Sequence, residues 1–174
     1  EWHCWTVHDV ARGKRFAELG FNSLTSDRPA LIHDGQSVSY RQLRRRAMGI
    51  AAYLQAQNLP RGAHVGHYMR NSNAYMESFV GAGLAGLSHV NVNYRYQDEE
   101  LLDLCNGLDI QVLVYDEAFA ERVARLRPQL EKTVCFIQVG GSGGDAQITA
   151  LYDYSDTPFK LNTSADDLVV IATG

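Results

Sequence analysis

The chain has 174 residues, of which 45% are apolar and 21% are charged, and its formal net charge is −4. These values are typical of one globular domain or of part of a larger one, and they exclude a disordered tail, a collagen-like repeat and a disulfide scaffold. Because the net charge is negative and no apolar run approaches the roughly 20 residues of a membrane helix, we expect neither a nucleic-acid partner nor a membrane span.

The first predicted elements are a hairpin and a long helix. Two short extended runs flank Asp34-Gly35, and this dipeptide is a strong signal for a β-hairpin turn. Ser39 followed by Gln42 three residues later fits a capping box. Apolar residues then recur at helical spacing as far as Leu54, so the pattern predicts a helix that begins near Ser39.

Short apolar runs then alternate with helical periods along the chain. The pattern predicts strands at 64–69, 88–92, 111–115 and 133–137, and helices at 73–86, 98–107 and 117–126. Strands and helices that alternate at this spacing are typical of βαβ units. The sequence therefore predicts an α/β fold with a mostly parallel sheet flanked by helices.

The predicted helix 73–86 contains three glycines, Gly81, Gly83 and Gly86. Each of them weakens a helix by about 1 kcal/mol relative to Ala. A cost of that size predicts that another element packs closely against the helix backbone at these positions.

The region from residue 140 to residue 165 carries no clear periodicity. Its first part, 140–145, is rich in Gly and Ser, which is typical of a flexible surface loop. We expect residues 140–165 to form an irregular connector, and we assign no element to the terminus 1–15.

The last segment, 166–174, is a run of apolar residues that ends in Thr173 and Gly174. It predicts a buried strand, and the sequence contains no turn or covering element after it, so we expect a longer protein. Backbone N–H groups in a glycine-containing loop after a strand can bind a phosphate. A plain strand end is the simpler explanation of these two residues taken alone.

A second glycine pattern fits a different nucleotide. Residues 141–146 match the dinucleotide fingerprint G-x-G-x-x-A, with Asp166 about 20 residues further on. The residues after Ala146 lack the pattern of the helix whose N-terminus must face the pyrophosphate. A nicotinamide-binding oxidoreductase is therefore the weakest alternative.

Histidine, cysteine and arginine patterns predict no metal site and no nucleophile. His64 and His67 are three apart on a predicted strand, so they point to opposite faces, which disfavours a shared metal. The three cysteines are widely spaced without a C-x-x-C, which favours reduced, structural thiols in a cytoplasmic protein. The four arginines within 41–46 are typical of a solvated helix face, with an anionic partner as the alternative.

Five stretches match a known family in their order and spacing. They are 38–43, like T-Y-x-x-L; 59–66, like G-V-x-x-G-D-x-V but with Ala63-His64 in place of Gly-Asp; 68–72 with the Gly/Ala-rich helix after it, like N-x-x-E-Y-x-x-x-x-x-A-x-x-x-A-G; 91–101, like P-V-N-Y-R-Y-x-x-x-E-L; and 166–174, like D-D-x-x-x-I-x-x-T-(S/G)-G. Together they resemble the N-terminal part of the AMP-forming acyl-CoA synthetases, the fatty-acyl branch of the adenylate-forming ligase superfamily.

The resemblance implies the N-terminal subdomain of the adenylate-forming ligase fold across 1–174. It implies an acid–thiol ligase that joins a fatty or other apolar carboxylic acid to coenzyme A with ATP and Mg²⁺. It implies that Thr173 and Gly174 begin the ATP phosphate loop and that Asn93, Tyr94 and Arg95 lie near coenzyme A. It places no catalytic residue and no metal ligand within this chain.

The departures concern motifs that lie further along such enzymes. The Pro-Lys-Gly end of the phosphate loop, the aromatic-Gly-Thr-x-Glu motif, the ribose-binding Asp and the C-terminal-domain Lys are not in this sequence, so we expect the 174 residues alone to be inactive. The expected partners are a small-molecule carboxylic acid and the missing C-terminal part of the chain, with a homo-oligomer left open. A catalytically silent α/β interaction module is the alternative to the ligase.

Overall fold

The computed structural model describes residues 3–4, 23–24, 29–164, 167 and 169–171. Contacts divide the chain into two compact units, residues 1–45 and residues 46–174. In the first unit, strands β1 (His3–Cys4) and β2 (Ser23–Leu24) pair in parallel.

The first unit also contains the predicted hairpin. Strands β3 (Pro29–His33) and β4 (Gln36–Ser39) pair antiparallel. Asp34 and Gly35 between them both have positive φ, as a two-residue turn that matches the twist of the strands requires. The hairpin prediction is therefore confirmed.

Helix α1 (Tyr40–Ala56) begins at the predicted capping box. The backbone N–H of Ser39 donates to Gln42 Oε1 at 2.8 Å, and the N–H of Gln42 donates to Ser39 Oγ at 3.3 Å. Each side chain thus satisfies a backbone donor that the helix itself cannot pair.

Strands and helices then alternate along the second unit. The strands are β5 (His64–Tyr68), β6 (Ser88–Val92), β7 (Ile110–Asp116), β8 (Cys135–Val139), β9 (Ala146–Gln147) and β10 (Val169–Ile171), and the helices are α2 (Asn73–Leu84), α3 (Asp98–Gly107), α4 (Ala120–Leu126) and α5 (Ile148–Leu151). The six strands form one sheet in the order β10-β6-β5-β7-β8-β9, and every neighbouring pair is parallel. The predicted α/β fold is confirmed.

Helices cover both faces of this sheet. One buried cluster joins Ile50 of α1 and Ala82 of α2 to Val112 of β7. A second cluster joins Leu101 of α3 to Leu113 of β7. Val112 and Leu113 are consecutive, and successive strand residues point to opposite faces, so the two clusters lie on opposite sides of the strands and hold them in place.

Gly81 and Gly83 lie in α2, whereas Gly86 follows the end of the helix at Leu84, and the three glycines differ in their surroundings. A Cβ at Gly81 would meet the side chain of Ile50, and one at Gly86 would meet Asn162, which confirms close packing at these two positions. At Gly83 a Cβ would meet no atom of the described residues within 4 Å, so the expectation is wrong there.

Residues 140–165 are more regular than their composition predicts. They contain β9, α5 and a 3-10 helix over Tyr152–Asp156. The carboxylate of Asp145 accepts a hydrogen bond at 3.0 Å from the backbone N–H of Phe136. This contact comes from the preceding strand, β8, and composition within the loop does not predict it.

The closing strand lies at the edge of the described sheet, which corrects the expectation of a buried strand. Among the described strands β10 pairs with β6 alone, and Val169 is 53% exposed. An apolar run is compatible with an edge position as well as an interior one, because neighbouring strands decide burial and the run itself does not.

Candidate functional site

All six strands reach the same edge of the sheet with their carboxyl ends, because they run parallel. The chain passes from β5 to β6 on one side of β5 and then crosses to β7 on its other side. In open α/β sheets, ligands bind beyond the carboxyl ends of the strands where the strand order reverses in this way. The candidate site is therefore the carboxyl edge around β5, β6 and β7.

A cleft of about 430 Å³ opens at this edge. The residues that line it lie at the ends of β5 and β6: Met69, Asn71, Asn91, Val92, Asn93, Tyr94 and Tyr96. The asparagine amides both donate and accept hydrogen bonds, and the tyrosines add flat apolar surface. The lining suits a ligand that combines uncharged polar groups with a planar or apolar part.

Two guanidinium groups lie beside one exposed ring of this cleft. Asn93 Oδ1 accepts a hydrogen bond at 3.0 Å from the backbone N–H of Arg95, which shapes the turn after β6. The guanidinium carbons of Arg70 and Arg95 lie 5.9 and 5.6 Å from the Tyr94 ring centroid, and Tyr94 is 38% exposed. Positive charge at an exposed ring can bind a phosphate group while the ring packs against a ligand.

The structure brings together part of the predicted binding set. Asn93 and Tyr94 line the cleft, and Arg95 lies against Tyr94. Thr173 and Gly174 lie outside the described residues. The strand that precedes them reaches the same edge, because Ile171 of β10 pairs with Asn91 of β6.

A chain of hydrogen bonds that the sequence does not predict leads from the sheet interior to the cleft. His67 on β5 and His89 on β6 face the same side, and their Nδ1 atoms lie 2.9 Å apart. His89 Nε2 lies 3.2 Å from Tyr75 Oη, which lies 3.2 Å from Asn91 Oδ1. Because Asn91 lines the cleft, the buried histidines contact the site through Tyr75.

The two histidines that are linked by these hydrogen bonds, His67 and His89, are neutral near pH 7. Burial, and then the neighbouring His89, lowers the pKa of His67 to about 3, and burial lowers the pKa of His89. The distances are satisfied when His67 Nδ1 donates to His89 Nδ1, His89 Nε2 donates to Tyr75, and the Tyr75 hydroxyl donates to Asn91. In this order the amide oxygen of Asn91 is an acceptor held from below the cleft.

Only the register of two strands could have identified this pair. By sequence, the histidine to compare with His67 is His64, which lies on the same strand. His64 does not contact His67, and its Nδ1 lies 2.5 Å from the carbonyl oxygen of Leu108. His67 is opposite Asn91 in the β5–β6 pairing, and His89 is two residues before Asn91. Residues two apart share a face, so the pairing brings the two imidazoles together.

The glycine turn 141–146 does not form a dinucleotide site. Helix α5, which follows it, has only four residues, Ile148–Leu151. That length provides no helix N-terminus of the kind that binds a pyrophosphate. The side chain of Gln138 also occupies the space beside Gly143, so the structure contradicts the fingerprint.

Within the described ranges, no group of three or more His, Cys, Asp or Glu side chains could hold a metal ion. None of the helices in that part of the chain has the length and apolar character needed to cross a membrane.

A family model described as AMP-binding enzyme matches residues 22–172. The medium-chain acyl-CoA ligase Mig of Mycobacterium avium is 33% identical over 168 residues, and the alignment covers 85% of this chain and 30% of that protein. The 3-oxocholest-4-en-26-oate–CoA ligase of Rhodococcus rhodochrous is 33% identical over 159 residues, covering 87% of this chain and 29% of that protein. The chain thus spans about 30% of the length of these curated relatives.

Solved structures share the fold. A candidate long-chain-fatty-acid CoA ligase from Rhodopseudomonas palustris CGA009 superposes with a TM-score of 0.76 at 29% identity, covering 84% of this chain and 38% of that chain. A benzoate CoA ligase from Burkholderia xenovorans LB400 gives a TM-score of 0.66 at 18% identity, covering 90% and 29%. The second likeness is one of fold alone, and both agree with the predicted architecture.

Proposed function

The chain belongs to the AMP-binding enzyme family, and from this premise we propose that the full protein is an AMP-forming acyl-CoA synthetase. It joins a fatty or other apolar carboxylic acid to coenzyme A and uses ATP. The family match over residues 22–172 carries the proposal, and the names of the curated relatives agree with it. Since the chain spans about 30% of their length, we propose that the 174 residues alone are inactive.

The proposed reaction has two steps. In the first, a carboxylate oxygen of the acid attacks the α-phosphorus of ATP, and diphosphate leaves as an acyl-adenylate forms. In the second, the thiol of coenzyme A loses its proton, its sulfur attacks the acyl carbon, and AMP leaves. Adenylation is needed because a carboxylate is anionic and has a poor leaving group.

Mg²⁺ is proposed as the companion of ATP, whose phosphate charge it would neutralise. Within the described residues no group of three or more suitable side chains could hold a metal ion. The described part of this chain therefore receives no Mg²⁺ ligand in the proposal.

We assign the start of the ATP phosphate loop to Thr173 and Gly174, and contacts with coenzyme A to Asn93, Tyr94 and Arg95. Support for the first assignment is the pairing of β10 with β6, which leads the chain to the carboxyl edge. Support for the second is the cleft itself, with its amides and with guanidinium groups beside an exposed ring.

The names of the relatives support a proposal for the substrate class, and the free thiols support one for the location. The relatives are named for medium-chain acyl groups and for 3-oxocholest-4-en-26-oate, and we propose an apolar small-molecule acid of this kind. Cys105 and Cys135 are free, which supports a cytoplasmic location because that compartment keeps thiols reduced.

The full-length protein tests the proposal. Incubated with ATP, MgCl₂, coenzyme A and either octanoate, palmitate or 3-oxocholest-4-en-26-oate, it is expected to form acyl-CoA and AMP in equal amounts, as measured by liquid chromatography with mass spectrometry. The 174-residue chain under the same conditions is expected to form neither. Folded full-length protein that releases no AMP with any of these acids would overturn the proposal.

A further inference from the structure

One arginine on α4 binds the loop that follows β6 at several points. Arg122 Nη1 donates to Tyr68 Oη at 2.7 Å and to the backbone oxygen of Tyr96 at 2.8 Å. Its Nη2 donates to Gln97 Oε1 at 3.0 Å. Its Nε lies 3.0 Å from Asp98 Oδ1. A single side chain therefore contacts three consecutive residues of the loop and of the start of α3.

Arg122 also contacts a buried residue of the sheet, Tyr68. Tyr68 is the last residue of β5 and is fully buried. Its hydroxyl accepts from Arg122 and donates to the same Tyr96 oxygen at 3.1 Å. The planar guanidinium holds its donors in a rigid fork, so it fixes the Tyr96 backbone relative to the sheet.

The residues that Arg122 holds adjoin the proposed coenzyme A contacts. Tyr96 lines the same cleft as Asn93 and Tyr94, and its backbone N–H donates to the backbone oxygen of Asn93 at 3.0 Å. The short turn that displays Tyr94 and Arg95 is thus closed at its far end by the residue that Arg122 binds. A shift of Tyr96 would move the whole turn.

We propose that Arg122 is a positioning residue for the second step, the transfer of the acyl group to coenzyme A. It acts by holding the turn after β6 in the orientation that binds coenzyme A. The inference rests on the proposed function, and it adds a residue on α4 that does not line the cleft.

Arg125 provides a matched control on the same helix. Its Nη2 lies 2.7 Å from Asp98 Oδ2, so it shares the carboxylate that Arg122 binds. It makes no hydrogen bond to Tyr68, Tyr96 or Gln97, all of which are described. Loss of a charge on α4 is therefore common to Arg122→Gln and Arg125→Gln, whereas loss of the loop contact occurs only in the first.

The experiment compares the two steps in the full-length enzyme. Acid-dependent exchange of radioactive diphosphate into ATP measures the first step, adenylation. The KM for coenzyme A and the kcat of acyl-CoA formation, measured together, report the second step. Arg122→Gln is expected to raise the KM for coenzyme A about tenfold, because the loss of hydrogen bonds to a charged group weakens an interaction by about this factor. The diphosphate exchange is expected to stay near the wild-type rate. Arg122→Lys is expected to give a smaller rise, and Arg125→Gln none.

The outcomes separate this inference from the proposed function. A wild-type enzyme that forms no acyl-CoA contradicts the function itself. An active wild type whose Arg122→Gln variant keeps the coenzyme A KM, or loses exchange and transfer equally, overturns the positioning role. If Arg122→Gln does not fold, Arg122→Lys replaces it, because an ammonium keeps the charge but lacks the planar fork that reaches Tyr96 and Gln97 together; an unchanged KM in that variant overturns the role as well.

Discussion

The guanidinium of Arg46 lies 2.7 Å from the carboxylate of Glu77, whose side chain is 1% exposed. Tyr152 donates a second hydrogen bond to the same carboxylate, and Arg46 also lies 5.0 Å from the centre of the Tyr152 ring. The cluster links α1, α2 and the 3-10 helix over Tyr152–Asp156. A buried carboxylate depends on such partners, because removal of one leaves desolvated charge unpaired.

We expect Arg46→Gln to lower the free energy of unfolding by about 2 kcal/mol, because the Glu77 carboxylate stays buried while it loses the guanidinium with which it pairs. The double variant Arg46→Gln, Glu77→Gln should recover much of this loss, since no charge then remains buried. Urea denaturation measures both. Arg44→Gln, on the exposed face of the same helix, is the control and should change stability by less than about 0.5 kcal/mol. Equal losses in the single and double variants would contradict the explanation.

The neutral pair His67–His89 makes stability depend on pH. A histidine in an unfolded chain has a pKa near 6.5, whereas burial lowers the pKa of His67 to about 3 in the folded protein. The folded state therefore favours the neutral form. The contribution of neutral His67 to the free energy of unfolding is therefore complete above a pH of about 6.5. It is lost as the pH falls towards about 3, by up to about 1.4 kcal/mol per pH unit.

Urea denaturation at a series of pH values tests the contribution of the pair. The variant His67→Leu should show a flatter decline in stability below neutral pH than the wild type. His33→Gln, which changes a partly exposed histidine of the hairpin, should keep the wild-type decline. An unchanged slope in His67→Leu would assign the acid sensitivity to other groups.

The buried cysteines should be unreactive in the native protein. Burial raises the pKa of the Cys105 thiol to about 12 and that of the Cys135 thiol to about 11, and only the thiolate reacts readily. In a Cys4→Ser background, Ellman's reagent at a pH of about 8 is expected to titrate almost no thiol before urea is added and both thiols afterwards. Rapid native reaction of either thiol would show that its helix or strand opens easily.

Gly144 should be intolerant of a side chain. Its φ is +77°, and a Cβ there would lie 2.9 Å from the backbone oxygen of Phe136. Gly144→Ala is therefore expected to cost about 1–3 kcal/mol of folding free energy. Gly107→Ala is the control, because a Cβ at that helical position meets no described atom within 4 Å. Thermal unfolding of the two variants measures the difference, and equal melting temperatures would contradict the close contact.

The elements that the sequence predicts well are those formed by neighbours along the chain. Asp34-Gly35 indicates its hairpin and Ser39 with Gln42 indicates the start of α1, because each depends on backbone geometry within a few residues. Residues Asn93 and Tyr94 were assigned to a binding site through a family resemblance, and the cleft they line is formed by the adjoining ends of β5 and β6.

The contacts that the sequence does not predict join residues far apart in the chain. His67 and His89 are 22 residues apart, and Arg122 and Tyr68 are 54 apart. Neither pair has a local pattern, because strand register and the docking of α4 decide which side chains meet. The edge position of β10 likewise depends on which strands pair with it.

The order of strands and helices, the α/β class and the family are therefore properties of the sequence by itself, because spacing of apolar residues and short motifs are written along the chain. Tertiary structure alone decided that the two histidines form a neutral pair beneath Asn91 and that Arg122 holds the turn after β6. These contacts exist because folding excludes water and brings polar groups within hydrogen-bond distance across the sheet. A buried polar group that has lost its water is stabilised by a hydrogen bond to another protein group.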